Sequence, residues 1–517
     1  MLGLVLEEAL HESYRLEVAA LTHGEGPEID ALLRARVDVE IARGEDVRVV
    51  HGMALRVELM GDLGDGARFG LRIGPAVELA GLGRRSRVFQ GRSVVEIAEA
   101  VLGPCLADHG SALHVGRLVG SYAPRDCCVQ YRESDLDFVR RILADEGIVM
   151  LFDHGGDTEV VVLVDDNQAL PAAGCEPLGE ANTVVPALPY VPEREGEVPV
   201  ESIQMVTQGQ RLNRGRWKAS VWAWNERPPA MSSTALADEE SRSYDAWQEA
   251  DEGRSSEGLD GNEPVHDASP TRARLQRRRD ETRGLRLWGQ TNATVLRAGS
   301  VFELVGSPHD EFGTSWVVTR ARLEGAAPAA SVYGSSTNAS AELRGKIECQ
   351  PHTVPVVVER RPRPIVQGVH TAVVTGPPGE SIHTDRFGRV RVRMLWDEQA
   401  HDREETSCWL RVAQPWAGDG FGTVFIPRVG TEVLVSFVDS DPDRPLCTGS
   451  VYDGGNLPPY ALPEHKTRTV LRTASIDGDG YNELSFEDAA GQEEIFLHAQ
   501  RNLRETIRAG RTTSVGD

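Results

Sequence analysis

The segment from Asp439 to Pro445, DSDPDRP, carries acidic residues at the spacing with which a calcium loop presents its oxygen ligands. Aspartate fills its first, third and fifth places. A calcium loop also needs glycine at the sixth place for a sharp turn, but that place holds Arg444, and a proline follows. The sequence therefore favours an acidic turn over a metal site. The glycine-rich segment from Asp477 to Asn482 is interpreted in the same way.

Motifs for hydrolysis, metal catalysis and phosphate binding are missing from the sequence, which contains no HExxH, no GxSxG and no GxxxxGK[ST]. The 14 histidines are scattered, and none pairs with another at metal-ligand spacing near a cysteine cluster. The 7 cysteines form no CxxC pair, so we expect reduced thiols. We predict no catalytic residue, no cofactor and no metal site.

Two arginine-rich segments have the charge that a nucleic-acid ligand requires. A helix is predicted to begin at Ser269 and Pro270, since proline suits the first helical turn, and it carries arginines at 272, 274, 277, 278 and 279. The alternative to nucleic acid is a solvated helix face that balances the acidic stretch at 238–257. Because the formal net charge is −24, we favour the solvated face.

The second arginine-rich segment is a predicted strand from Arg389 to Trp396. Arginines at 389, 391 and 393 share one face, whereas Trp396 shares the other face with apolar residues. Small barrels that bind oligonucleotides combine a basic strip with stacking aromatic rings. These arginines lack an aromatic partner on their own face, so salt bridges at the surface or between subunits are favoured over nucleic acid.

A helix and a strand are predicted near residue 140. Ser134 is a suitable N-cap and Gly147 follows the last turn. Between them, apolar residues fall on one face at helical spacing, and the other face carries Asp137, Arg140, Arg141 and Asp145. After the glycine, the run IVMLF predicts a short buried strand.

Residues 407–460 alternate in short period-two runs separated by glycine and proline, the pattern of a small antiparallel barrel. Val433, Val435 and Phe437 share one predicted face. Trp416 follows a proline at a turn, and we expect the barrel to cover it, just as we expect Trp396 to be buried. A Pro-rich extended linker at Val354–Pro364 marks the expected boundary before this barrel.

The C-terminal residues predict a trimer. Asn482–Asp488 and Glu493–Gln500 form two predicted strands, with Leu484 and Phe486 on one face and Ile495 and Leu497 on one face. An isolated hairpin cannot bury its apolar face alone, but three chains that wind together can. His498 would be a trimeric metal ligand only if it pointed inward.

Five segments closely resemble the VgrG family, the trimeric spike of the bacterial type VI secretion system. They are VVHGMALRVELM (49–60), SRVFQGRSVVEIAEAVL (86–102), YRESDLDFVRRILADEGIVMLF (131–152), GPPGESIHTDRFGRVRVRMLWD (376–397) with the adjoining barrel string (407–460), and NELSFEDAAGQEEIFLHAQ (482–500). They occur in the family's order along most of the chain, whereas residues 235–270 show no resemblance.

The resemblance implies a mainly β fold with some helix, an α+β mixture in three domains. Residues 1–360 would form a phage tail-hub-like domain with two β-barrels, helices and an acidic insertion at about 235–268. Residues 361–460 would form an OB-fold spike barrel, and 461–517 the neck and the start of a trimeric β-helical needle. Because the family's needle is longer, we expect Asp517 to be an interruption of it.

The resemblance also implies a mechanical role without catalysis. A homotrimer would sit on the hexameric Hcp tube inside the baseplate, carry a PAAR-type tip with effector or adaptor proteins, and meet membranes only by puncturing them. The N-terminus shows no signal peptide, so export through the apparatus itself is expected from a cytoplasmic precursor. The alternatives are a spike of a contractile phage tail or phage-derived injection particle, and a spike-fused hydrolase.

Overall fold

The computed structural model describes residues 2–22, 28–43, 46–62, 67–179, 185–192, 200–213, 216–222, 230–236, 248–250, 269–307, 315–326, 342–398 and 406–516, with the backbone alone at 60–62, 216–222, 230–236, 248–250, 269–270 and 342. The chain divides into two compact units, Met1–Ile365 and Val366–Asp517. Strands predominate over helices in the described residues, which confirms the predicted mainly β class with some helix.

The first unit contains nineteen labelled strands within the described residues. They are β1 Gly3–Ala9, β2 Arg15–Leu21, β3 Arg36–Arg43, β4 Asp46–Asp62, β5 Ala67–Gly74, β6 Arg85–Phe89, β7 Ala112–Arg117, β8 Cys128–Glu133, β9 Val149–Asp153, β10 Val160–Val164, β11 Ala187–Pro189, β12 Ile203–Gln210, β13 Arg216–Trp222, β14 Ala230–Leu236, β15 Gln248–Ala250, β16 Leu285–Thr291, β17 Val301–Val305, β18 Ser315–Ala326 and β19 Glu342–Pro351. Its helices are α1 Ile29–Leu32, α2 Val94–Asp108, α3 Asp135–Glu146 and α4 Ser269–Thr282.

An 11-stranded sheet forms the frame of this unit, in the order β12-β16-β19-β18-β1-β2-β5-β4-β3 with β17 on β18 and β11 on β17. Smaller sheets have the orders β7-β10-β9, β14-β13-β15 and β6-β8. Alternate residues of the large sheet, among them Leu6, Leu16 and Ile73, are buried in one apolar cluster, as a period of two requires. Helices α2 and α3 share another core cluster with β10.

The ends of α2 and α3 follow from their capping residues. Ser93 and Glu96 form a reciprocal capping box at the start of α2. At α3, the Ser134 side chain accepts a hydrogen bond from the Asp137 backbone N–H, and Gly147 ends the helix with a φ of 81°. Only glycine adopts this left-handed conformation without a steric cost. The predicted helix and the strand after it, β9, are both confirmed.

The polar face of α3 is not exposed at Arg140 and Arg141, which are buried. The Arg141 guanidinium lies 2.6 Å from a Glu133 carboxylate oxygen and donates to the Val129 carbonyl at 3.1 Å. The Arg140 guanidinium donates to the Ser13 hydroxyl at 2.7 Å. A long arginine stem can pack among apolar residues while its head finds carboxylates and carbonyls, so helical periodicity alone misplaces it.

Helix α4 begins where it was predicted, but Arg279 does not lie on a solvated face. Its guanidinium is buried and donates to the Ala144 carbonyl at 2.6 Å and the Val358 carbonyl at 3.0 Å. Burial lowers the pKa of Arg279 to about 10, and the nearby Arg360 acts in the same direction. The acidic stretch at 238–257 lies outside the described residues except for β15.

The Pro-rich segment from His352 to Arg363, here called the strap, is extended but docked onto the first unit. The Asn167 amide donates to the His352 and Val354 carbonyls at 2.6 and 2.8 Å and accepts from the Val356 N–H at 2.7 Å. An ion pair holds its second half, in which the Arg360 guanidinium lies 3.0 Å from the carboxylate of Asp145, in the last turn of α3. The strap is therefore fixed by side chains rather than by a β-ladder.

The second unit contains the strands β20 His370–Thr375, β21 Arg391–Met394, β22 Arg411–Val412, β23 Ala417–Gly418, β24 Phe421–Gly422, β25 Glu432–Phe437, β26 Pro445–Ser450, β27 Arg468–Ala474, β28 Tyr481–Glu487 and β29 Glu494–His498. Five of them form a barrel sheet in the order β21-β20-β25-β26-β22. Val390 and Leu410 exchange backbone hydrogen bonds of 3.0 and 2.8 Å, which close the sheet on itself.

The barrel confirms the predicted burial of Val433, Val435 and Phe437. It corrects two other expectations. The β22–β26 pair is parallel, so the barrel is not wholly antiparallel. Strand β21 also ends at Met394 in a turn closed by the Asp397 N–H on the Met394 carbonyl, so Trp396 leaves the apolar face and is only half-buried.

No helix among the described residues combines the length and the apolar character needed to cross a bilayer.

Candidate assembly interface

The C-terminal sheet consists of β27, β28 and β29, paired antiparallel in chain order. Leu471 lies opposite Leu484, which lies opposite Leu497 on the next strand. Phe486 lies opposite Ile495. Since cross-strand partners point to the same side, these five apolar residues form one continuous face, here called the apolar face.

The apolar face is open to solvent in the single chain. Ile495 is 73% exposed and Leu497 58%, and Leu471, Leu484 and Phe486 are also exposed. The opposite side of β28 is closed, because Glu483 is only 3% exposed and Ser485 only 2%. The sheet therefore buries its polar side within the chain and presents its apolar side, the reverse of an ordinary monomeric sheet.

Tyr460 and two arginines cover the polar side. The Tyr460 hydroxyl donates to the Glu483 carboxylate at 2.7 Å. The Arg468 guanidinium lies 4.8 Å from the centre of the Tyr460 ring and 3.3 Å from Glu487. The Arg472 guanidinium lies 3.8 Å from the centre of the Tyr481 ring. Tyr460, which precedes the sheet, and the two arginines of β27 thus occupy the side that would otherwise be free for a partner.

Opposing effects set the ionisation of Glu483. Burial acts to raise its pKa, but hydrogen bonds from Tyr460 and Ser485 and the charges of Arg472 and Arg468 outweigh burial and lower it. The same hydrogen bond raises the pKa of Tyr460. Glu483 is therefore a carboxylate, and its Oε1 accepts a hydrogen bond from Tyr460 of the same chain.

His498 lies on β29, where the sequence placed it, but its ring is engaged within the chain. It stacks on the Tyr481 ring with 4.4 Å between the centroids, and its Nδ1 lies 3.1 Å from the Tyr481 carbonyl oxygen. Among the described residues no group of three or more histidines, cysteines or acids is arranged to hold a metal ion. Residues 499–516, which the resemblance assigns to the start of the needle, contain no strand in the single chain.

The Asp439–Pro445 segment forms an acidic turn. Asp441 and Asp443 are buried, and the Asp441 carboxylate accepts from the Asp443 N–H at 3.0 Å. Arg444, at the place where a calcium loop has glycine, lies 3.0 Å from the Asp439 carboxylate and 3.5 Å from that of Asp441. The residue that argued against a calcium loop is therefore the one that neutralises these carboxylates.

The arginine strip has aromatic neighbours, which corrects the sequence prediction. The Arg391 guanidinium lies 4.7 Å from the centre of the Trp409 ring, and that ring lies 4.9 Å from the His383 ring. Arg389 is buried and pairs with Asp385 at 2.7 Å. The tryptophan comes from the segment preceding β22, so the periodicity of one strand could not reveal it.

Trp416 is also misplaced by the sequence prediction, since the barrel does not cover it. It lies before the β23–β24 hairpin, is 63% exposed and meets Phe421 edge-on with 5.4 Å between the ring centroids. Val424 is 77% exposed, and Phe425 is exposed as well. A second exposed apolar cluster therefore lies on the barrel.

Three known protein families match the chain in sequence. Residues 7–329 match the phage tail baseplate hub (GPD), and 380–452 match the type VI secretion system/phage-baseplate injector OB domain. Residues 469–517 match the bacteriophage T4 gp5 C-terminal trimerisation domain. The open apolar face thus lies within a segment that resembles a domain which forms trimers.

Relatives share this combination of segments. The type VI secretion system spike protein VgrG1a of Pseudomonas aeruginosa is 30% identical over 481 residues, which cover 92% of this chain and 71% of that protein. The chain belongs to the VgrG family. Other VgrG relatives are longer: VgrG4b of Pseudomonas aeruginosa is 34% identical over 99% of this chain and 62% of its own length. The actin cross-linking toxin VgrG1 of Vibrio cholerae is 32% identical over 97% of this chain and 44% of its own length.

Solved structures share the VgrG fold of this chain at low sequence identity. The E. coli c3393 protein, described as a type VI secretion component similar to the T4 tail proteins gp27 and gp5, has a TM-score of 0.59 at 18% identity, covering 87% of this chain and 96% of that one. A chain of the lidded Francisella PdpA–VgrG complex has a TM-score of 0.60 at 9% identity, covering 96% and 76%.

The sequence prediction found the apolar face but missed what covers the other side. Strand β27 was not predicted, because Arg468–Ala474 contains only two large apolar residues, Val470 and Leu471. The role of Tyr460 was missed as well. The sequence contained an indication of this role, because Glu483 and Ser485 alternate with Leu484 and Phe486. This alternation gives the strand one polar side, whose side chains need hydrogen-bond partners if that side is buried.

Proposed function

We propose that three copies of this chain form the spike of a type VI secretion system, with the C-terminal sheets packed by their apolar faces around a threefold axis. The observation that carries the proposal is the inverted sheet. Its polar side is closed by Tyr460 of the same chain, and its apolar side is open in the segment that matches a trimerisation domain. Exposed apolar surface of this kind marks a protein interface.

The organisation of the chain fits this role. We assign 1–360 to the hub, 361–460 to the OB-fold spike barrel and 461–517 to the neck and the start of the needle. The hub of the trimer would sit on the Hcp tube hexamer and contact baseplate subunits. The needle would lead to a PAAR-type tip and carry effector or adaptor proteins, and the assembly would cross target membranes only by puncturing them. Folding in the cytoplasm and export through the apparatus complete the proposal.

The chain itself is proposed to be mechanical rather than catalytic. The relatives named as spike proteins align along nearly the whole chain. The relative named as a toxin aligns over only 44% of its own length. A hydrolytic function would require turnover by the purified chain on peptidoglycan, and we expect none.

Export of the tube protein tests the proposed function. In the source bacterium, deletion of the gene should abolish release of Hcp into the medium, and the wild-type chain should restore it. The double variant Leu484→Asp, Leu497→Asp should be produced but fail to restore release, whereas Glu493→Ser, an exposed turn change, should restore it. Full release by the Asp variant would refute the proposal. Recovery of the chain in particles with capsid proteins would instead support the phage alternative.

A further inference from the structure

The barrel presents a second apolar surface, distinct from the C-terminal sheet. Residues 414–425, here called the aromatic hairpin, include β23 and β24 and expose Trp416, Phe421, Val424 and Phe425. Each of these side chains is between 48% and 77% exposed in the single chain. Aromatic residues exposed together are typical of the centres of protein interfaces.

Close packing at two glycines and a pair of hydrogen bonds brace the aromatic hairpin. A Cβ atom at Gly418 would lie 2.3 Å from the Phe421 ring, and one at Gly422, whose φ is +133°, would lie 2.4 Å from the Trp416 carbonyl oxygen. The Gln414 amide binds the backbone of Phe425 twice, donating to its carbonyl at 3.0 Å and accepting from its N–H at 2.9 Å. A surface ordered before binding loses little conformational entropy when a partner covers it.

The aromatic hairpin is linked to the C-terminal sheet. Three residues after Phe425, the Arg428 guanidinium donates to the Ala474 carbonyl at 2.6 Å, at the end of β27. Ile476, in the turn that follows β27, is also exposed. The segment that follows the aromatic hairpin is therefore bound to the end of the sheet, so that assembly about the sheet brings the hairpins of other copies close.

We propose that a second copy of this chain covers the aromatic hairpin in the trimer, so that the barrels contribute to the threefold interface alongside the C-terminal sheet. The inference rests on the proposed trimer. A heterologous contact of this kind closes in a threefold ring, in which each copy both donates its hairpin and receives that of its neighbour. Trp416 and Phe421 act as anchors, and the two glycines leave room for the Phe421 ring and for the Trp416 carbonyl.

Photo-crosslinking of the full-length chain tests the inference. A benzophenone amino acid in place of Val424 should form covalent dimers and trimers on irradiation, because the neighbouring copy lies against it. The same label at Leu82, an equally exposed residue of the first unit, gives the background level. A trimer by mass that gives no chain-to-chain crosslink at 424 above this background would overturn the inference and leave the trimer standing. A native mass equal to that of one chain would contradict both the inference and the proposed trimer.

A second variant measures the energetic contribution of the aromatic hairpin. Trp416→Ser with Phe421→Ser changes only exposed side chains, so the monomer should fold as before. We expect the trimer to dissociate on dilution at a concentration roughly tenfold or more higher than wild type, as loss of two interface anchors implies. The control Leu82→Ser with Val119→Ser removes two similarly exposed residues of the first unit. Equal dissociation in both variants would overturn the inference.

Discussion

His11 links three parts of the first unit through one imidazole ring. Its Nε2 lies 2.8 Å from the Arg140 carbonyl oxygen, and its Nδ1 accepts from the Met150 N–H at 3.3 Å. Its φ of 62° places it in the left-handed region, which residues other than glycine seldom adopt. Burial lowers the pKa of His11 to about 3, and it lowers the pKa of His154 well below 6.5.

Acid should therefore destabilise the first unit. Below pH 6.5 the unfolded chain binds a proton at His11 that the folded chain refuses until about pH 3, so unfolding takes up protons. The contribution of such a histidine to the free energy of unfolding is complete above pH 6.5. It decreases as the pH falls toward 3, by at most about 1.4 kcal/mol per pH unit for each histidine. Urea unfolding across this range should show a shallower loss in His11→Asn than in wild type. His465→Asn, in the second unit, is the control; an unchanged slope for His11→Asn would contradict the account.

Two tryptophans differ in burial, and their replacement should therefore differ in its effect on stability. Trp316 is fully buried in a cluster of the large sheet, so Trp316→Ala should lower the free energy of unfolding of the first unit by about 3–5 kcal/mol. Trp396→Ala should cost the second unit clearly less, because its ring lies beyond the end of β21. Thermal unfolding of each variant measures both, and a larger loss for Trp396→Ala would show that the turn after Met394 is misplaced.

Sequence patterns predicted residues best where one element decides their environment. The period of the predicted strand Arg389–Trp396 correctly buries Val390, Val392 and Met394, and it fails at Trp396 because a turn replaces the strand after Met394. Arg140 and Arg279 fail for another reason. Their partners, the Ser13 hydroxyl and the Ala144 carbonyl, come from segments far along the chain, and no local pattern specifies a distant partner.

At the scale of elements, capping residues were the strongest predictors. Ser134 and Gly147 define both ends of α3. The strap was predicted as an extended linker, which its proline content explains, but its docking was not. That docking depends on Asn167, a residue of a surface turn whose three hydrogen bonds to the strap appear only when the chain is folded. The extended conformation was therefore predictable and the contact was not.

The strap should loosen when Asn167 is removed. Asn167→Ala deletes the acceptor of the Val356 N–H and two donors to the strap carbonyls, so the Val356 amide should exchange with deuterium much faster while the amides of β18 keep their protection. Gln168→Ala, at the exposed neighbouring position, should change neither. Unchanged exchange at Val356 in Asn167→Ala would contradict this account and mean that the buried side chains of Val356 and Val357 hold the strap without Asn167.

At the scale of the whole molecule, the two exposed apolar surfaces of the second unit point to the same conclusion. The resemblance of several ordered segments to VgrG spikes anticipated the family and the mainly β fold. The inverted C-terminal sheet gives the physical reason for assembly. Full burial of one large apolar side chain contributes roughly 1.5–3 kcal/mol, and the apolar face of each chain carries five of them, three leucines, one phenylalanine and one isoleucine.

The native mass of the purified full-length chain tests the central claim most directly. Analytical ultracentrifugation or mass photometry should give three times the chain mass of 56.4 kDa for wild type and for Glu493→Ser. Leu484→Asp with Leu497→Asp should shift the population toward the single-chain mass, because charge on the apolar face cannot be buried between chains. A wild-type protein that remains at 56.4 kDa at micromolar concentration, with its C-terminal sheet intact, would contradict the account.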